Sequence, residues 1–336
     1  MQTVRLTDDK KVIIAAAEIL KADGVVAIPT ETVYGLAASA LNDEAIKKVF
    51  NAKGRPQDNP LIVHVDGYDM LARVVSEIPD EAKKLAKAFW PGPLTLVLKK
   101  SDMIAASVSR GLDTVAVRMP EHPVALSVIK ETGLPLAAPS ANISGSPSPT
   151  SADHVLADLD GRIDAVIMSD NSAVGVESTV VSLAVSPPRL LRPGKVTAEE
   201  LKEFLPDLII DKAVLSEPLK GEKVASPGMK YKHYSPKTQV ILVEGDSKSF
   251  SELVNKEENC LAICFDEDAD LLTVKYLSYG SALNDNAQAK NIFSLLRKAD
   301  DMKADKIYVH APKKKGVGLA VYNRLIRAAA FRVIEL

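Results

Sequence analysis

Short apolar strand patterns alternate with amphipathic helix patterns along the chain, and this alternation is interrupted once, between residues 206 and 237. Regular alternation of this kind predicts an α/β protein. The interruption, which includes LSEPLKGEKVASPGMKYKHYSPKT, is rich in Pro, Gly, Lys and Tyr and has no apolar periodicity. A structureless connection of that length is usually functional or disordered. The pattern therefore predicts two folded units joined by a long linker.

The predicted domain organisation is residues 1–205, a linker over residues 206–237, and residues 238–336. A chain of 336 residues is long for one hydrophobic core, which also favours two domains. In the first domain several strand patterns follow one another with little helix between them, which predicts a twisted mixed sheet with helices. The second domain alternates strands and helices regularly and predicts a smaller, Rossmann-like parallel α/β fold. No G-x-G-x-x-G follows its first strand, so dinucleotide binding is not supported there.

Charge and composition argue against several classes of protein. A formal net charge of −2 argues against affinity built on broad neutralisation of nucleic-acid phosphates, although it allows a local basic pocket. No apolar run approaches the roughly 20 residues that span a bilayer, and MQTVRLTDDKK lacks the apolar region of a signal peptide. Cys260 and Cys264 share one face of a strand pattern and are expected to be packing residues. We therefore expect a cytoplasmic protein with no membrane association.

The stretch NAKGRPQDNPLIVHV contains a candidate polyphosphate site. Lys53 and Arg55 flank a glycine at the end of a predicted helix, and two such cations often only complete a helix C-terminus and face solvent. Here the glycine and the prolines that follow stiffen the backbone, so that both charges and Asn59 have a set direction. A preorganised Lys/Arg pair is what a polyphosphate requires, because arginine forms forked hydrogen bonds and lysine is a compact point charge.

Other polar side chains lie on or directly after predicted strands. Thr30 in PTETVYGLAA follows a strand, where open α/β sheets bind ligands, although capping is the more ordinary role for one threonine. In TVAVR, Thr114 and Arg118 share one face. The partner of Arg118 is either an internal Asp or Glu or a substrate carboxylate, because an unpaired buried guanidinium is costly. His64 in LIVHV is as compatible with a structural role as with ligand binding.

The stretch PSANISGSPSPT is rich in serine and proline. Proline limits backbone freedom, and the small side chains of Ser140, Asn142 and Ser148 let a nucleotide approach the main chain closely. The stretch lacks G-x-x-x-x-G-K-[ST] and is not a P-loop. Further along, Ser178 opens a strand pattern and Arg192 closes one.

Four of these candidates are cations at the ends of predicted strands or helices, with little acid nearby in sequence: Lys53, Arg55, Arg118 and Arg192. A cleft that collects such cations in a slightly acidic protein suits a small, strongly anionic ligand.

Six motifs, PTETVYGL, KGRPQDNPLIVH, DTVAVRMP, PSANISGSPSPT, GVESTVV and LLRPG, occur in an order that closely resembles the L-threonylcarbamoyladenylate synthase family with its YrdC-like catalytic domain. The linker SPGMKYKHYSP and the following α/β domain resemble the long, two-domain form. The resemblance implies synthesis of L-threonylcarbamoyladenylate from L-threonine, bicarbonate and ATP with release of pyrophosphate, with Mg²⁺ accompanying ATP. It also implies that other proteins transfer the threonylcarbamoyl group to tRNA. Weak tRNA contact by this chain is a further expectation.

The resemblance also implies roles for individual residues. Lys53 and Arg55 become catalytic cations that neutralise the triphosphate and the departing pyrophosphate, and no metal ligand is assigned. The implied ATP-binding residues are Lys53, Arg55, Asn59, Thr114, Ser140, Asn142, Ser148, Arg192, Tyr231 and His233. The implied threonine-binding residues are Thr30, His64, Arg118 and Ser178.

The linker is predicted to act as a lid. Its segment KYKHYSP combines aromatic and cationic side chains, and we expect it to fold over the catalytic opening and contact ATP through Tyr231 or His233. The alternative is a solvated spacer between domains.

The sequence leaves two alternative functions open. One is a double-stranded RNA or tRNA-binding module without catalysis, which the near-neutral charge and the lack of a dense Lys/Arg stripe disfavour. The other is a carbamoyl-adenylate-dependent carbamoyltransferase, which would be expected to carry an acylphosphatase segment and a zinc finger, and this sequence has no C-x-x-C pair.

Overall fold

The computed structural model describes residues 2–7, 10–56, 59–217 and 234–336. Within these residues the strands form an eleven-stranded mixed sheet and a separate five-stranded parallel sheet, each with helices packed against it. The predicted α/β class, with a mixed-sheet domain followed by a smaller parallel domain, is confirmed. The predicted lid residues Tyr231 and His233 lie outside the described residues. None of the helices described has the length and apolar character needed to cross a bilayer.

The first sheet has the strand order β1-β8-β2-β3-β7-β4-β6-β5-β9-β10-β11. Its strands are β1 (Val4–Thr7), β2 (Val26–Ile28), β3 (Gly35–Ser39), β4 (Ile62–His64), β5 (Leu94–Lys99), β6 (Thr114–Arg118), β7 (Leu136–Ala137), β8 (Ala165–Met168), β9 (Thr179–Ser182), β10 (Arg189–Arg192) and β11 (Ile209–Ile210). The accompanying helices are α1 (Lys10–Lys21), α2 (Asp43–Lys53), α3 (Tyr68–Val74), α4 (Asp80–Phe89), α5 (Ala106–Ser109), α6 (Pro123–Thr132), α7 (Ala152–Leu159) and α8 (Ala198–Phe204).

Helix α2 shows how local sequence positions the candidate cations. The side chain of Asn42 accepts a hydrogen bond from the Glu44 amide and caps the helix, whose first turn is acidic as the helix dipole favours. Gly54 ends the helix at φ 57°, a left-handed conformation that glycine adopts without steric cost. The cap therefore fixes Lys53 in the last turn and turns the chain sharply before Arg55.

Strand register brings distant motifs together at one end of the neighbouring strands β4, β6, β5, β9 and β10. Strands β4 and β6 run parallel, with His64 opposite Arg118 at their ends. Strand β9 runs parallel to β5 and antiparallel to β10, so the start of β9 lies beside the end of β10. Ser178 and Arg192 consequently lie near each other. Thr114 starts β6 and pairs with Lys99, at the end of the strand opposite to Arg118.

The second sheet has the order β14-β13-β15-β12-β16, and all its pairings are parallel. Its strands are β12 (Gln239–Glu244), β13 (Cys260–Cys264), β14 (Lys275–Ser278), β15 (Lys306–His310) and β16 (Val333–Glu335), and its helices are α9 (Ser247–Val254), α10 (Asp285–Asp301) and α11 (Gly316–Ala328). Short 3-10 turns cover Lys212–Val214 and Asp266–Leu271. Cys260 and Cys264 are buried and reduced in β13, as packing residues would be.

Some elements differ from the sequence expectations. Strand β3 consists of Gly, Leu, Ala, Ala and Ser, residues with little intrinsic strand preference, and tertiary pairing alone makes it a strand. The first sheet continues to Ile210, because β11 pairs in parallel with β10, whereas the predicted first domain ends at residue 205. The predicted domain limits, including the one at residue 205, stay predictions.

The two sheets are joined by a shared apolar cluster. Val33 and Val176 of the first unit pack with Tyr234 and with the core of the second, which includes Phe293 and Leu325. Gly175 lies at the closest approach, with φ 86°, and a side chain there would overlap the main chain of Ala289 and Lys290. The second unit therefore packs directly against the loops that follow β2 and precede β9.

Gly175→Ala is predicted to destabilise the protein strongly. The added Cβ would meet main chain that cannot move aside, and the left-handed backbone adds its own cost, so we expect a loss of about 2–5 kcal/mol of unfolding free energy. Gly111→Ala is the matched control, because its φ is 79° but nothing lies within 4 Å of the added Cβ. We expect it to cost about 1–2 kcal/mol. Equal losses in urea unfolding would contradict the close approach.

Candidate active site

Ten of the predicted site residues line one pocket, at the end of the first sheet's strands where Arg118 and Arg192 lie. It brings together residues from six separate stretches of the first domain, together with Tyr234. The predicted residues that line it are Thr30, Lys53, Arg55, His64, Arg118, Ser140, Asn142, Ser148, Ser178 and Arg192.

Two predicted ATP-binding residues do not line this pocket. Thr114 starts β6, and it is the other end of that strand, at Arg118, that reaches the pocket. Asn59 is 2% exposed and is packed inside the protein, where neither atom of its amide group has a hydrogen-bond partner among the described residues. The assignment of both to the ATP site stays a prediction.

Lys53 fastens the serine-rich loop to the end of α2. Its Nζ donates to the carbonyl oxygens of Ser140 and Asn142, the latter at 2.7 Å, and lies 3.4 Å from Oδ1 of Asn142. The amide of Ser144 donates in return to the Lys53 carbonyl at 2.9 Å. Burial, and secondarily the charge of Arg55, hold the pKa of Lys53 well below its ordinary value. An anion in the pocket would offset this desolvation.

The sequence left the partner of Arg118 open, and the structure shows an internal carboxylate. Arg118 Nη2 lies 2.5 Å from Oε1 of Glu31, and both side chains are buried. Nη1 donates to Oγ1 of Thr32 at 2.8 Å, and Nε donates to the Gly92 carbonyl at 3.2 Å. Arg118 nevertheless lines the pocket. Both alternatives therefore remain compatible with its position.

His64 is a buried neutral imidazole in the pocket wall. Burial, with a contribution from the charge of Arg118, lowers the pKa of His64 to about 3. Its Nδ1 is buried and has no hydrogen-bond partner within the described ranges. A neutral imidazole offers one donor and one acceptor, which suits a polar uncharged group better than a cation.

Ser178 and Arg192 form a second polar group at the same end of the strands. Arg192 Nε donates to the Ser178 carbonyl at 3.0 Å, and its Nη2 donates to Ser178 Oγ at 3.2 Å. Ser178 Oγ lies 2.8 Å from Oγ1 of Thr95. Burial lowers the pKa of Arg192. The pairing of β9 with β5 and β10 produces this arrangement.

Glu177 is a pocket residue that sequence reasoning missed. It lines the pocket, where its Oε1 accepts from Ser148 Oγ at 2.5 Å and its Oε2 accepts from Arg324 Nε at 2.8 Å. Burial raises the pKa of Glu177, but the charges of Arg324 and Arg192 outweigh this and lower it overall. The available signal was the acid in GVESTVV, directly before Ser178.

Arg324 reaches this glutamate from α11 of the second domain. It is completely buried, and it also donates to the Pro193 carbonyl at 2.9 Å and the Glu177 carbonyl at 3.2 Å. Tyr234, at the end of the linker, lines the pocket, and its ring lies against the Arg324 guanidinium. An arginine inside the apolar pattern of NRLIRAAA was the sequence signal for this contact.

The pocket combines buried cations, several small hydroxyls and the serine-rich loop that Lys53 holds against the end of α2. Such a site suits a phosphate-bearing ligand beside a smaller polar molecule, because cations and oriented dipoles act strongly where water is excluded. The fold and the pocket thus define a two-domain α/β protein with a nucleotide-type anion pocket at the domain junction.

Comparisons with known proteins identify the family. Residues 18–194 match the Sua5_yciO_yrdC family, described as telomere recombination, and residues 196–330 match Sua5_C, described as the threonylcarbamoyl-AMP synthase C-terminal domain. The threonylcarbamoyl-AMP synthase of Pyrococcus abyssi is 45% identical over 96% of this chain and 95% of its own length. That of Bacillus subtilis is 44% identical over 99% and 97%. The chain belongs to the threonylcarbamoyl-AMP synthase family.

A solved structure agrees with this assignment over the whole chain. The crystal structure of P. abyssi Sua5 complexed with L-threonine has a TM-score of 0.92 with this chain at 42% identity, and the alignment covers 100% of both chains. The two-domain form that the sequence motifs indicated is therefore confirmed.

The depressed pKa of His64 predicts a loss of stability in acid. The unfolded histidine titrates near 6.5 and the folded one at about 3, so between these values only the unfolded chain binds the proton. The unfolding free energy should therefore fall as pH decreases from 6.5 towards 3, by up to about 1.4 kcal/mol per pH unit. Urea unfolding of the native chain and of His64→Gln over pH 4–7 measures this. Parallel curves for the two proteins would contradict the prediction.

The Arg324–Glu177 pair predicts strong coupling between two substitutions. Arg324→Met leaves a buried carboxylate uncompensated and should cost about 3–5 kcal/mol of unfolding free energy. Adding Glu177→Gln to Arg324→Met should recover a large part of the loss, because no unpaired charge remains. A double-mutant cycle in urea measures the coupling. Additive losses would show that the two side chains do not interact as described.

Proposed function

We propose that this chain synthesises L-threonylcarbamoyladenylate from L-threonine, bicarbonate and ATP, with release of pyrophosphate, and that each end of the pocket holds one substrate. The observation that carries the proposal is the convergence of residues from six separate motifs on a single pocket. Family membership over nearly the full chain supports the same activity.

The nucleotide is assigned to the end formed by α2 and the serine-rich loop. Lys53 and Arg55 supply positive charge there, and Ser140, Asn142 and Ser148 supply small polar groups and accessible main chain. These cations would stabilise the triphosphate and the charge that develops on departing pyrophosphate. Arg192 adds a further cation at the pocket wall.

Threonine is assigned to the end formed by β4, β6 and the loop after β2. Arg118 would bind the carboxylate, while Thr30, His64 and Ser178 offer neutral hydrogen-bonding groups nearby. The P. abyssi relative is described as a complex with L-threonine, which supports an amino-acid site in this fold.

The chemistry requires positioning more than covalent catalysis. The threonine amine and bicarbonate form a carbamate and release water. A carbamate oxygen then attacks the α-phosphorus of ATP, a new P–O bond forms, and the bond to pyrophosphate breaks. A carbamate is a weak nucleophile that is readily lost to water, so a pocket that holds it dry and in line accelerates the reaction.

Mg²⁺ is proposed to enter with ATP. Within the described residues no group of three or more His, Cys, Asp or Glu side chains could hold a metal ion. Glu177 offers a carboxylate in the pocket wall, but Ser148 and Arg324 engage its two oxygens. The donor set therefore fits a metal held by the phosphates and not by a protein carboxylate cage.

The remaining expectations concern the cellular location, the tRNA and protein partners, and the linker. We propose a cytoplasmic protein whose product is passed to separate tRNA threonylcarbamoyl-transfer proteins, with weak tRNA contact at most. We also propose that the linker closes over the pocket, which Tyr234 supports, since it joins the linker to the pocket wall. The RNA-binding and carbamoyltransfer alternatives are not favoured, because the chain matches the synthases along their whole length.

Substitutions at the two ends should have different kinetic effects. Lys53→Ala should lower kcat/KM for ATP by about 100-fold or more, because a charge-stabilising donor is lost. Arg118→Ala should chiefly raise the threonine KM, by about 10-fold or more, because it removes a charged hydrogen bond. Pyrophosphate release from ATP, with and without threonine and bicarbonate, is the measurement.

The matched control is Lys47→Ala, which removes an exposed lysine from the same helix. It should leave all the kinetic constants unchanged. Pyrophosphate release that needs neither threonine nor bicarbonate would refute the proposed activity. A common effect of Lys53→Ala and Arg118→Ala on both substrates would refute the assignment of the two ends.

A further inference from the structure

Arg118 is compensated from inside the protein by Glu31. Their ion pair measures 2.5 Å, and the side chains of Arg118 and Glu31 are 4% and 7% exposed. Glu31 is not part of the pocket lining, whereas Arg118 is. Neither carboxylate oxygen of Glu31 accepts a well-aligned hydrogen bond from the described residues, so the adjacent guanidinium charge is its main compensation. The direct contact of the Glu31 carboxylate with the pocket lining is therefore its ion pair with Arg118.

The same contacts fix the direction of the guanidinium. Thr32 accepts from Nη1 at 2.8 Å and the Gly92 carbonyl accepts from Nε at 3.2 Å. Thr32 is in turn held by Thr30, whose Oγ1 is 2.9 Å from its own. A guanidinium has five N–H donors, so these contacts leave donors for a ligand in the pocket. Arg118 is thus oriented before any substrate binds.

Lys53 is surrounded very differently at the other end of the pocket. Its Nζ hydrogen-bonds to two main-chain carbonyls and approaches an amide oxygen, and no carboxylate in the described part of the chain forms an ion pair with it. The nearest negative charges act on it only at longer range, from Asp158 and Glu177. Arg118 is therefore a cation with a carboxylate partner, whereas Lys53, within the described residues, has carbonyl partners only.

We propose that Glu31 is a positioning and specificity residue: it orients Arg118 and cancels its excess charge, so that this end of the pocket selects a zwitterionic amino acid and rejects phosphate-bearing anions. This inference rests on the proposed function. It adds to that function an explanation of how two substrates bind at separate ends of one pocket. A zwitterion has no net charge and binds where charge is balanced. Polyphosphates bind where positive charge is in excess.

Loss of the Glu31 charge should convert the amino-acid end into an anion site. A buried guanidinium without a counter-charge is unfavourable, and a small anion from solution would relieve it. Inorganic phosphate is a suitable probe, because it is small enough to occupy the space of a carboxylate. It should then compete with threonine.

The test is steady-state kinetics of the full chain with Glu31→Gln, measured by pyrophosphate release. We expect the threonine KM to rise about 10-fold or more, with the ATP KM changed less than about twofold. We also expect phosphate to become competitive with threonine, with an inhibition constant at least about 10-fold below its native value. Glu31→Asp should show the same changes at smaller size, and it serves as the test if Glu31→Gln does not fold.

A second variant separates charge from orientation. Thr32→Val removes the hydrogen bond to Nη1 and keeps the ion pair, so it should raise the threonine KM without making phosphate competitive. In the double variant Glu31→Gln with Arg118→Gln, which carries no net charge, phosphate competition should disappear.

Two results would overturn the inference: unchanged threonine KM and phosphate inhibition in Glu31→Gln, or equal increases in both substrate KM values without phosphate competition. The second result is what a purely structural role would produce. If instead the native chain releases no pyrophosphate in a threonine- and bicarbonate-dependent way, the proposed function fails and not the role of Glu31.

Discussion

The buried pair of Glu177 and Arg324 is the interaction on which the pocket depends. Burying two charges is costly, and the cost is recovered only where geometry and further hydrogen bonds are favourable. Here Ser148, the Pro193 carbonyl and the Glu177 carbonyl supply those bonds. Because Arg324 comes from the second domain, its contacts with Glu177 in the pocket wall form only when both domains are packed together. The second domain thus acts as a structural part of the site.

Desolvation governs the electrostatics of the whole pocket. Burial is the largest cause of the lowered pKa values of Lys53, His64 and Arg192. A protein optimised only for stability would not keep several cations buried, where desolvation lowers their pKa values. An anionic ligand compensates them, so binding energy is available where negative charge accumulates during the reaction. No covalent nucleophile is needed, because orientation and charge stabilisation are sufficient for an attack on phosphorus.

Charge compensation also divides the pocket. Arg118 has a carboxylate partner and Lys53 has carbonyl partners, although both are buried cations at strand or helix ends. Two substrates of different charge can therefore occupy adjacent positions without exchanging places. The geometry that produces this division comes from the loop after β2, which contributes Glu31, Thr32 and, through Val33, a contact with the second domain.

Motif order and periodicity were sufficient for the α/β class, the two-domain organisation and ten residues of the pocket, because turn-forming glycines and prolines and strand-end positions are local properties. They did not show that Thr114 lies outside the pocket lining, since a shared strand face does not reveal which end of β6 reaches the pocket. Nor could they pair Arg118 with Glu31 or Glu177 with Arg324, which lie 87 and 147 positions apart. Contacts of that separation depend on strand register and domain packing, and only the folded chain specifies them.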